Sequence, residues 1–189
     1  MSNALAIYLP QALMLGWLLH QLSGRRPAWL LGLVLAALPI AGLPLAAHLR
    51  GLFGDPSATT LQLLLLALLA RSPASFANHW RAPLLIGLAG LAFYALVLGG
   101  APLLGIEDPY RLGYQPKLLV AVLTVPALYL WWRDRPLWLG LFAVDLLVFA
   151  ADWHSSPNFW DLLIDPQLVV ACLVLAWRNR PRRARPYEA

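Results

Sequence analysis

The stretch Pro83–Leu104, PLLIGLAGLAFYALVLGGAPLL, decides the fold class of this chain. It contains no charged residue. A helix of about 20 residues, rising 1.5 Å per residue, crosses the roughly 30 Å of hydrocarbon in a bilayer. The stretch is therefore predicted to be a transmembrane helix.

The composition of the whole chain agrees with this prediction. Of its 189 residues, 60% are apolar and 12% are charged, whereas a soluble domain is about half apolar and about a quarter charged. So few polar groups cannot cover the surface of a soluble fold. Lipid is the solvent that suits such a chain.

Six further apolar runs accompany the first one. They are Ala4–Leu22, Ala28–Ala47, Thr59–Ala70, Lys117–Trp132, Leu137–Ala151 and Phe159–Trp177. The run from Thr59 is short; it either begins near Pro56 with Asp55 as N-cap or forms a re-entrant element. We predict an all-α, polytopic bundle of about seven transmembrane helices over residues 1–177, followed by a basic cytoplasmic tail over residues 178–189.

The distribution of basic residues predicts the orientation. If every run crosses, one side holds 11 of the 14 Lys and Arg residues, including five in the tail. The positive-inside rule makes that side cytoplasmic, so the N-terminus is outside and the C-terminus inside. We predict a multi-pass protein of a bacterial inner membrane whose basic tail faces lipid headgroups, with no role in nucleic-acid binding.

Known catalytic and cofactor motifs are absent from the sequence. It has no nucleophile-elbow serine, no phosphate-binding glycine loop and no zinc-binding spacing. Its one cysteine, Cys172, excludes an intrachain disulfide. No cofactor and no metal are predicted, and whether the protein is an enzyme stays open, with the balance against it.

Asp145 is the most informative polar residue, because about 12 Å of helix separates it from Leu137. An ionised carboxylate at that depth costs about 2.5 to 3.5 kcal/mol unless it is paired, protonated or hydrated. We therefore predict that Asp145 faces the bundle interior. It either binds a proton or cation or forms a structural hydrogen bond between helices.

Asp161 and Asp165 allow two geometries. A helix that begins near Asn158 and is kinked at Pro166 places both carboxylates on one face, about 6 Å apart. Alternatively, Asp165 is the N-cap of a helix whose first residue is Pro166. The second helix is too short for a bilayer, so the length argument favours the kinked helix.

Three candidate residues, Arg111, Tyr114 and Lys117, lie in or next to the turn-rich outer loop GIEDPYRLGYQPK. They could bind an anionic headgroup or phosphate, or the two cations could pair with Asp161, Asp165 or Asp152. His154 could complete a metal site with nearby acids, but one histidine among carboxylates is more typical of a solvated loop.

These features lead to three hypotheses. The first is a non-enzymatic membrane subunit that binds lipid or a membrane or periplasmic partner protein through its periplasmic face. The second is a small transporter or flippase that uses Asp145 with Asp161, Asp165, Arg111 and Lys117. The third is a membrane-embedded enzyme acting on a lipid-linked substrate, which requires these groups to converge in one pocket.

Overall fold

The computed structural model describes residues 2–69, 80–154 and 156–180, which are all-helical apart from one short hairpin. The α-helices are α1 (Ser2–Ser23), α2 (Ala28–Ala36), α3 (Leu45–Phe53), α4 (Ala58–Leu69), α5 (Arg81–Ala95), α6 (Ala101–Leu103), α7 (Pro116–Trp132), α8 (Pro136–Ala150), α9 (Trp160–Leu163) and α10 (Pro166–Arg178). A π-helical turn, Leu96–Gly100, joins α5 to α6, and a 3-10 helix, Pro109–Gly113, precedes α7. The predicted helical class is confirmed. Arg71 and the tail beyond Arg180 lie outside the described residues.

Within the described residues, two stretches, Arg81–Leu103 and Trp160–Arg178, are long and apolar enough to cross a membrane. Helices α4, α7 and α8 are also apolar but contain only 12, 17 and 15 residues. The prediction of membrane helices is thus supported by length and composition at two places. Seven crossings stay a prediction.

The predicted single helix Ala28–Ala47 is wrong. Helix α2 ends at Ala36, and strands β1 (Pro39–Ile40) and β2 (Leu43–Pro44) then form a hairpin before α3. Ala41 and Gly42 at its tip both have positive φ, as a tight two-residue hairpin turn requires. Two prolines five residues apart, each without an N–H group, end the helix here instead of kinking it.

The predicted continuous helix through Pro166 is also wrong. Ile164 is extended (φ −145°, ψ 138°), and this separates α9 from α10. Asp165 is extended as well, because a residue before proline is sterically driven out of the helical region. Its side chain caps α10, so Asp161 and Asp165 do not share a helix face.

Glycines permit the closest helix contacts. Helices α1 and α2, joined by a short loop, cross where Gly32 lies against the backbone of Gly16. Gly87 of α5 faces Leu173 of α10, and Gly90 faces Val169. Because the numbers rise along α5 as they fall along α10, these two helices are antiparallel.

Contacts of α4 fix the directions of its neighbours. Thr59 binds Asp145 and Gln62 lies next to Leu141, so α4 and α8 are antiparallel. The short turn 133–135 makes α7 antiparallel to α8 in turn. These contacts also place α4 in the centre of the bundle, in contact with α1, α8 and α9.

Helices α1, α4 and α10 run in the same direction. Ser57 at the start of α4 meets Asp165 at the start of α10, and Leu64 and Leu175 further along belong to one buried cluster. The first half of α1 reaches the chain just before α4, and Trp17 joins the same cluster. The directions therefore alternate along the chain in the order α1, α2, α4, α5, α7, α8 and α10.

This alternation gives the bundle two different ends. The basic end carries the described residues Arg25, Arg26, Arg81, Arg133, Arg135, Arg178 and Arg180. The opposite end, here called the capped end, carries residues 104–115 and 151–165.

Candidate functional site

Asp145 is 1% exposed and faces the bundle interior, as predicted. The Thr59 hydroxyl donates to its Oδ2 at 2.7 Å, and the Gln62 side-chain amide donates to its Oδ1 at 2.7 Å. Both carboxylate oxygens are therefore paired with neutral donors of α4. The site links two helices, and neither Arg111 nor Lys117 takes part.

Asp165 is 3% exposed and joins the starts of two helices. Its Oδ1 accepts from Leu168 N at 2.6 Å, which caps α10. Its Oδ2 accepts from Ser57 N at 2.6 Å and from the Thr60 hydroxyl, both at the start of α4. A carboxylate at this place satisfies orphan N–H groups and is favoured by the positive ends of both helix dipoles.

The start of α4 is organised by Ser57, because its hydroxyl accepts from Thr60 N. The predicted N-cap, Asp55, instead forms a salt bridge with Arg50, with Nε and Oδ1 2.7 Å apart. Successive residues of a helix point about 100° apart, so adjacent Thr59 and Thr60 reach different aspartates. We call the six residues Ser57, Thr59, Thr60, Gln62, Asp145 and Asp165 the buried polar cluster.

Asp161 belongs to a separate group at the capped end. It accepts from the Tyr110 hydroxyl at 2.9 and 3.0 Å and from the Ser156 hydroxyl. Burial and the bond to the Asp161 carboxylate raise the pKa of the Tyr110 phenol above its usual range, which keeps the phenol protonated as a donor.

Hydrogen bonds to its backbone carbonyl groups fix the Pro109–Gly113 helix against the start of α9. The Asn158 amide donates to Tyr110 O, Phe159 N donates to Gly113 O, and the Trp160 indole donates to the same 3-10 helix. A Cβ at Gly113 would lie only 1.7 Å from Asn158 Oδ1. We call residues 109–114 and 156–161 the polar cap.

Arg111, Tyr114 and Lys117 are exposed on and beside the polar cap, with Tyr114 at 56%. Neither cation forms a salt bridge with a carboxylate in the described part of the chain. Of their proposed partners, Asp161 and Asp165 are already bound by neutral donors. The alternative in which Arg111 and Lys117 pair with Asp161 or Asp165 is therefore wrong for the described residues.

His154 lies at the entry to the polar cap and is partly buried, which differs from the solvated histidine of the sequence prediction. Its Nδ1 accepts from Ser156 N at 3.2 Å, whereas its buried Nε2 has no partner in the described ranges. No group of three or more His, Cys, Asp or Glu side chains among residues 2–69, 80–154 and 156–180 could hold a metal ion.

The candidate residues do not converge on one site. Asp145 lies in the buried polar cluster, Asp161 in the polar cap and Arg111 on the surface. The enzyme hypothesis requires these three in a single pocket, and the transporter hypothesis requires Asp145 to face a hydrated path. The geometry supplies neither arrangement among the described residues.

A cavity of about 610 Å³ lies between α1, α4 and α10. It extends from the buried polar cluster towards the basic end of the bundle. Thr60 and Leu168 line it near the cluster, and Arg26 and Gln21 line it at the basic end. From Thr60 to Leu68 it follows eight residues of α4, or roughly 12 Å. Its walls are mainly apolar.

Sequence reasoning did not find this cavity, because its lining comes from helices far apart in the chain. Gly16 and Gly32 bring α1 and α2 together, and the start of α2 then contributes Trp29 to the wall. The one sequence signal is the pair Arg25 and Arg26 next to Trp29, which resembles an interfacial anchor as much as the rim of a pocket.

We expect Asp145→Asn to change the free energy of unfolding by less than about 1 kcal/mol. The new Oδ1 still accepts from Gln62, and the new Nδ2 donates to the Thr59 hydroxyl, which can act as acceptor. Asp145→Leu leaves the Thr59 hydroxyl without its acceptor and leaves Gln62 with only its 3.4 Å hydrogen bond to Leu141 O, and it is expected to cost about 1 to 2 kcal/mol.

Unfolding in mixed micelles, followed by circular dichroism as SDS is added, measures both variants. Equal losses for Asn and Leu would mean that the negative charge itself is needed. That outcome would revive the ion-binding alternative for Asp145.

No protein-family model matches the chain. No curated protein and no solved structure matches it significantly either, so the functional conclusion depends on the described contacts alone.

Proposed function

We propose that the chain spans a bacterial inner membrane seven times, with the N-terminus outside and the C-terminus inside. The alternating directions of the long helices support this topology, because they bring seven of the nine described arginines to one end. The positive-inside rule makes the basic end cytoplasmic and the capped end periplasmic.

Exposed apolar side chains support a lipid environment. Leu30, Leu85, Leu98, Val125 and Leu147 are each between 67% and 83% exposed and lie on four different apolar segments. A soluble monomer rarely exposes such extended apolar surface. In a bilayer the same surface faces acyl chains.

We propose further that the protein is a non-enzymatic membrane subunit whose polar cap binds an acidic surface of a periplasmic or membrane partner. The observation that carries this proposal is the contrast within the cap. Its backbone and its carboxylate are held by internal hydrogen bonds, while Arg111, Tyr114 and Lys117 stay exposed and outside any described salt bridge.

Such a surface is suited to recognition. Because the loop is already ordered, binding costs little conformational entropy. Unpaired cations around an aromatic ring are typical of interfaces in which Arg and Tyr supply most of the binding energy. Opposite charge on the partner accelerates association and selects against basic partners.

Photo-crosslinking in intact cells tests this proposal. With a benzophenone amino acid in place of Tyr114, we expect one discrete crosslinked protein species. The double variant Arg111→Glu/Lys117→Glu should reduce its yield at least about fivefold, because like charge now faces the acidic partner.

Two controls complete the experiment. The probe at Leu147, which is 68% exposed on α8, should give no discrete protein band. The variant Arg133→Glu/Arg135→Glu changes the same charge at the basic end and should leave the Tyr114 product unchanged. Absence of a product at Tyr114, or a product that charge reversal does not affect, would refute the proposal; a lipid adduct would replace the protein partner with a headgroup.

A further inference from the structure

We propose that the cavity between α1, α4 and α10 binds an anionic phospholipid of the leaflet at the basic end, with an acyl chain inside and the phosphate at Arg26. This inference goes beyond the partner-binding function of the polar cap. It rests on the proposed membrane orientation only in assigning the leaflet.

The walls of the cavity match an acyl chain. Met14, Trp17, Leu64 and Leu175 supply apolar surface along its length. Its extent of roughly 12 Å along α4 suits a chain that lies parallel to the helices.

The mouth of the cavity has the opposite character. Arg26 lines it directly, and the adjacent Arg25 is also exposed, with neither side chain in a salt bridge with a described carboxylate. Arginine binds phosphate oxygens through two parallel hydrogen bonds. Charge complementarity therefore favours an anionic headgroup over a zwitterionic one.

The rim is held in place by contacts that leave these two cations free. The Arg178 guanidinium donates to the backbone oxygen of Gln21, which ties the end of α10 to the end of α1. His20 Nδ1 lies 3.1 Å from Arg25 O and its ring lies beside Trp29. The loop that carries Arg25 and Arg26 is thus ordered before any lipid binds, which lowers the entropic cost of binding.

The inner end of the cavity limits how deeply an acyl chain can enter. Thr60 lines it, and its hydroxyl is already donated to Asp165. Cys172 and Leu168 complete this end without any free cation. An acyl terminus fits there, whereas a charged headgroup does not, so the lipid has one orientation.

Native mass spectrometry of the full chain tests the proposal. Delipidated protein in detergent is titrated with phosphatidylglycerol and, separately, with phosphatidylcholine of the same acyl chains. We expect a one-to-one adduct with phosphatidylglycerol at a lipid concentration at least about tenfold lower than with phosphatidylcholine.

Two variants with matched controls make the result specific. Arg26→Glu should abolish the tenfold preference, whereas Arg133→Glu, an exposed charge reversal at the same end, should keep it. Ala67→Phe fills the cavity and should remove the adduct, whereas Ala143→Phe on the exposed face of α8 should not.

Equal binding of the two lipids by the wild-type chain would overturn the proposal, as would an unchanged preference in Arg26→Glu. An adduct that persists in Ala67→Phe would place the lipid elsewhere on the surface. The variant Arg111→Glu/Lys117→Glu should bind phosphatidylglycerol normally, so failure of the cap proposal and failure of the cavity proposal are distinguishable.

Discussion

Asp165→Ala is expected to lower the free energy of unfolding by about 3 kcal/mol. The substitution removes the acceptor for Leu168 N, for Ser57 N and for the Thr60 hydroxyl in one step. These donors are buried, so water replaces the lost bonds poorly. Asp165→Asn keeps one acceptor oxygen and should lose roughly half as much, since its NH₂ group cannot accept from Ser57 N.

Asp55→Ala is the matched control, because it removes a carboxylate from the partly exposed pair with Arg50. A pair of this kind contributes at most about 1 kcal/mol. Thermal unfolding and SDS titration in the same micelles compare the two variants. If Asp165→Ala loses no more stability than Asp55→Ala, the hydrogen bonds of the Asp165 carboxylate to the starts of α4 and α10 do not hold these two helices together.

Gly32→Ala is expected to cost about 2 to 3 kcal/mol relative to a glycine replaced at an open helix position. A Cβ at Gly32 would lie 2.3 Å from Gly16 N and 2.4 Å from Gly16 Cα. The obstacle is backbone, which no side-chain rotation can relieve. Helices α1 and α2 must separate, and the wall of the cavity that contains Trp17 and Trp29 opens with them.

Gly140→Ala supplies the comparison, since a Cβ at Gly140 of α8 meets nothing within 4 Å. Both substitutions gain up to about 1 kcal/mol of helix propensity, so their difference reports the collision alone. The same unfolding assay applies, with lipid adducts as a second reading. Equal stability of the two variants would show that α1 and α2 do not pack as closely as their glycines allow.

The bounds of α7 and α8 follow almost completely from sequence. Lys117–Trp132 and Leu137–Ala151 were predicted, and the helices are Pro116–Trp132 and Pro136–Ala150. Each begins with a proline at its first position, and the polar turn 133–135 separates them. Proline at the start and a polar turn between two apolar runs therefore predict two separate helices with these ends.

The hairpin after α2 was not predicted, although Pro39 and Pro44 interrupt this apolar run. A proline in an apolar run either kinks a helix or ends it. The outcome depends on whether neighbours satisfy the freed backbone groups. Here Leu45 N donates to Leu38 O across the hairpin and His48 Nε2 lies 2.8 Å from Ile40 O, contacts that no local pattern indicates.

For the polar residues, too, the sequence predicted the position of a side chain but not its partners. The depth of Asp145 in an apolar helix predicted an inward-facing carboxylate, which is what the structure contains. Its partners, Thr59 and Gln62, belong to the segment whose crossing was least certain. For Asp161 and Asp165, charge alone suggested Arg111 and Lys117 as partners, because sequence reasoning matched opposite charges without knowing which helices are neighbours.

The sequence by itself determined the helical class, the ends of α7 and α8 and the inward-facing position of Asp145. These properties depend on local composition and on the 1.5 Å rise of a helix. Only the tertiary structure decided which residues meet. Apart from Asp145, α8 is apolar around its whole circumference, so no amphipathic stripe indicates its inner face. Close approach at Gly32, Gly87 and Gly90 selects the α1–α2 and α5–α10 pairs. The contacts of α4 with α8 and with the start of α10 decide the polar partners of Asp145 and Asp165.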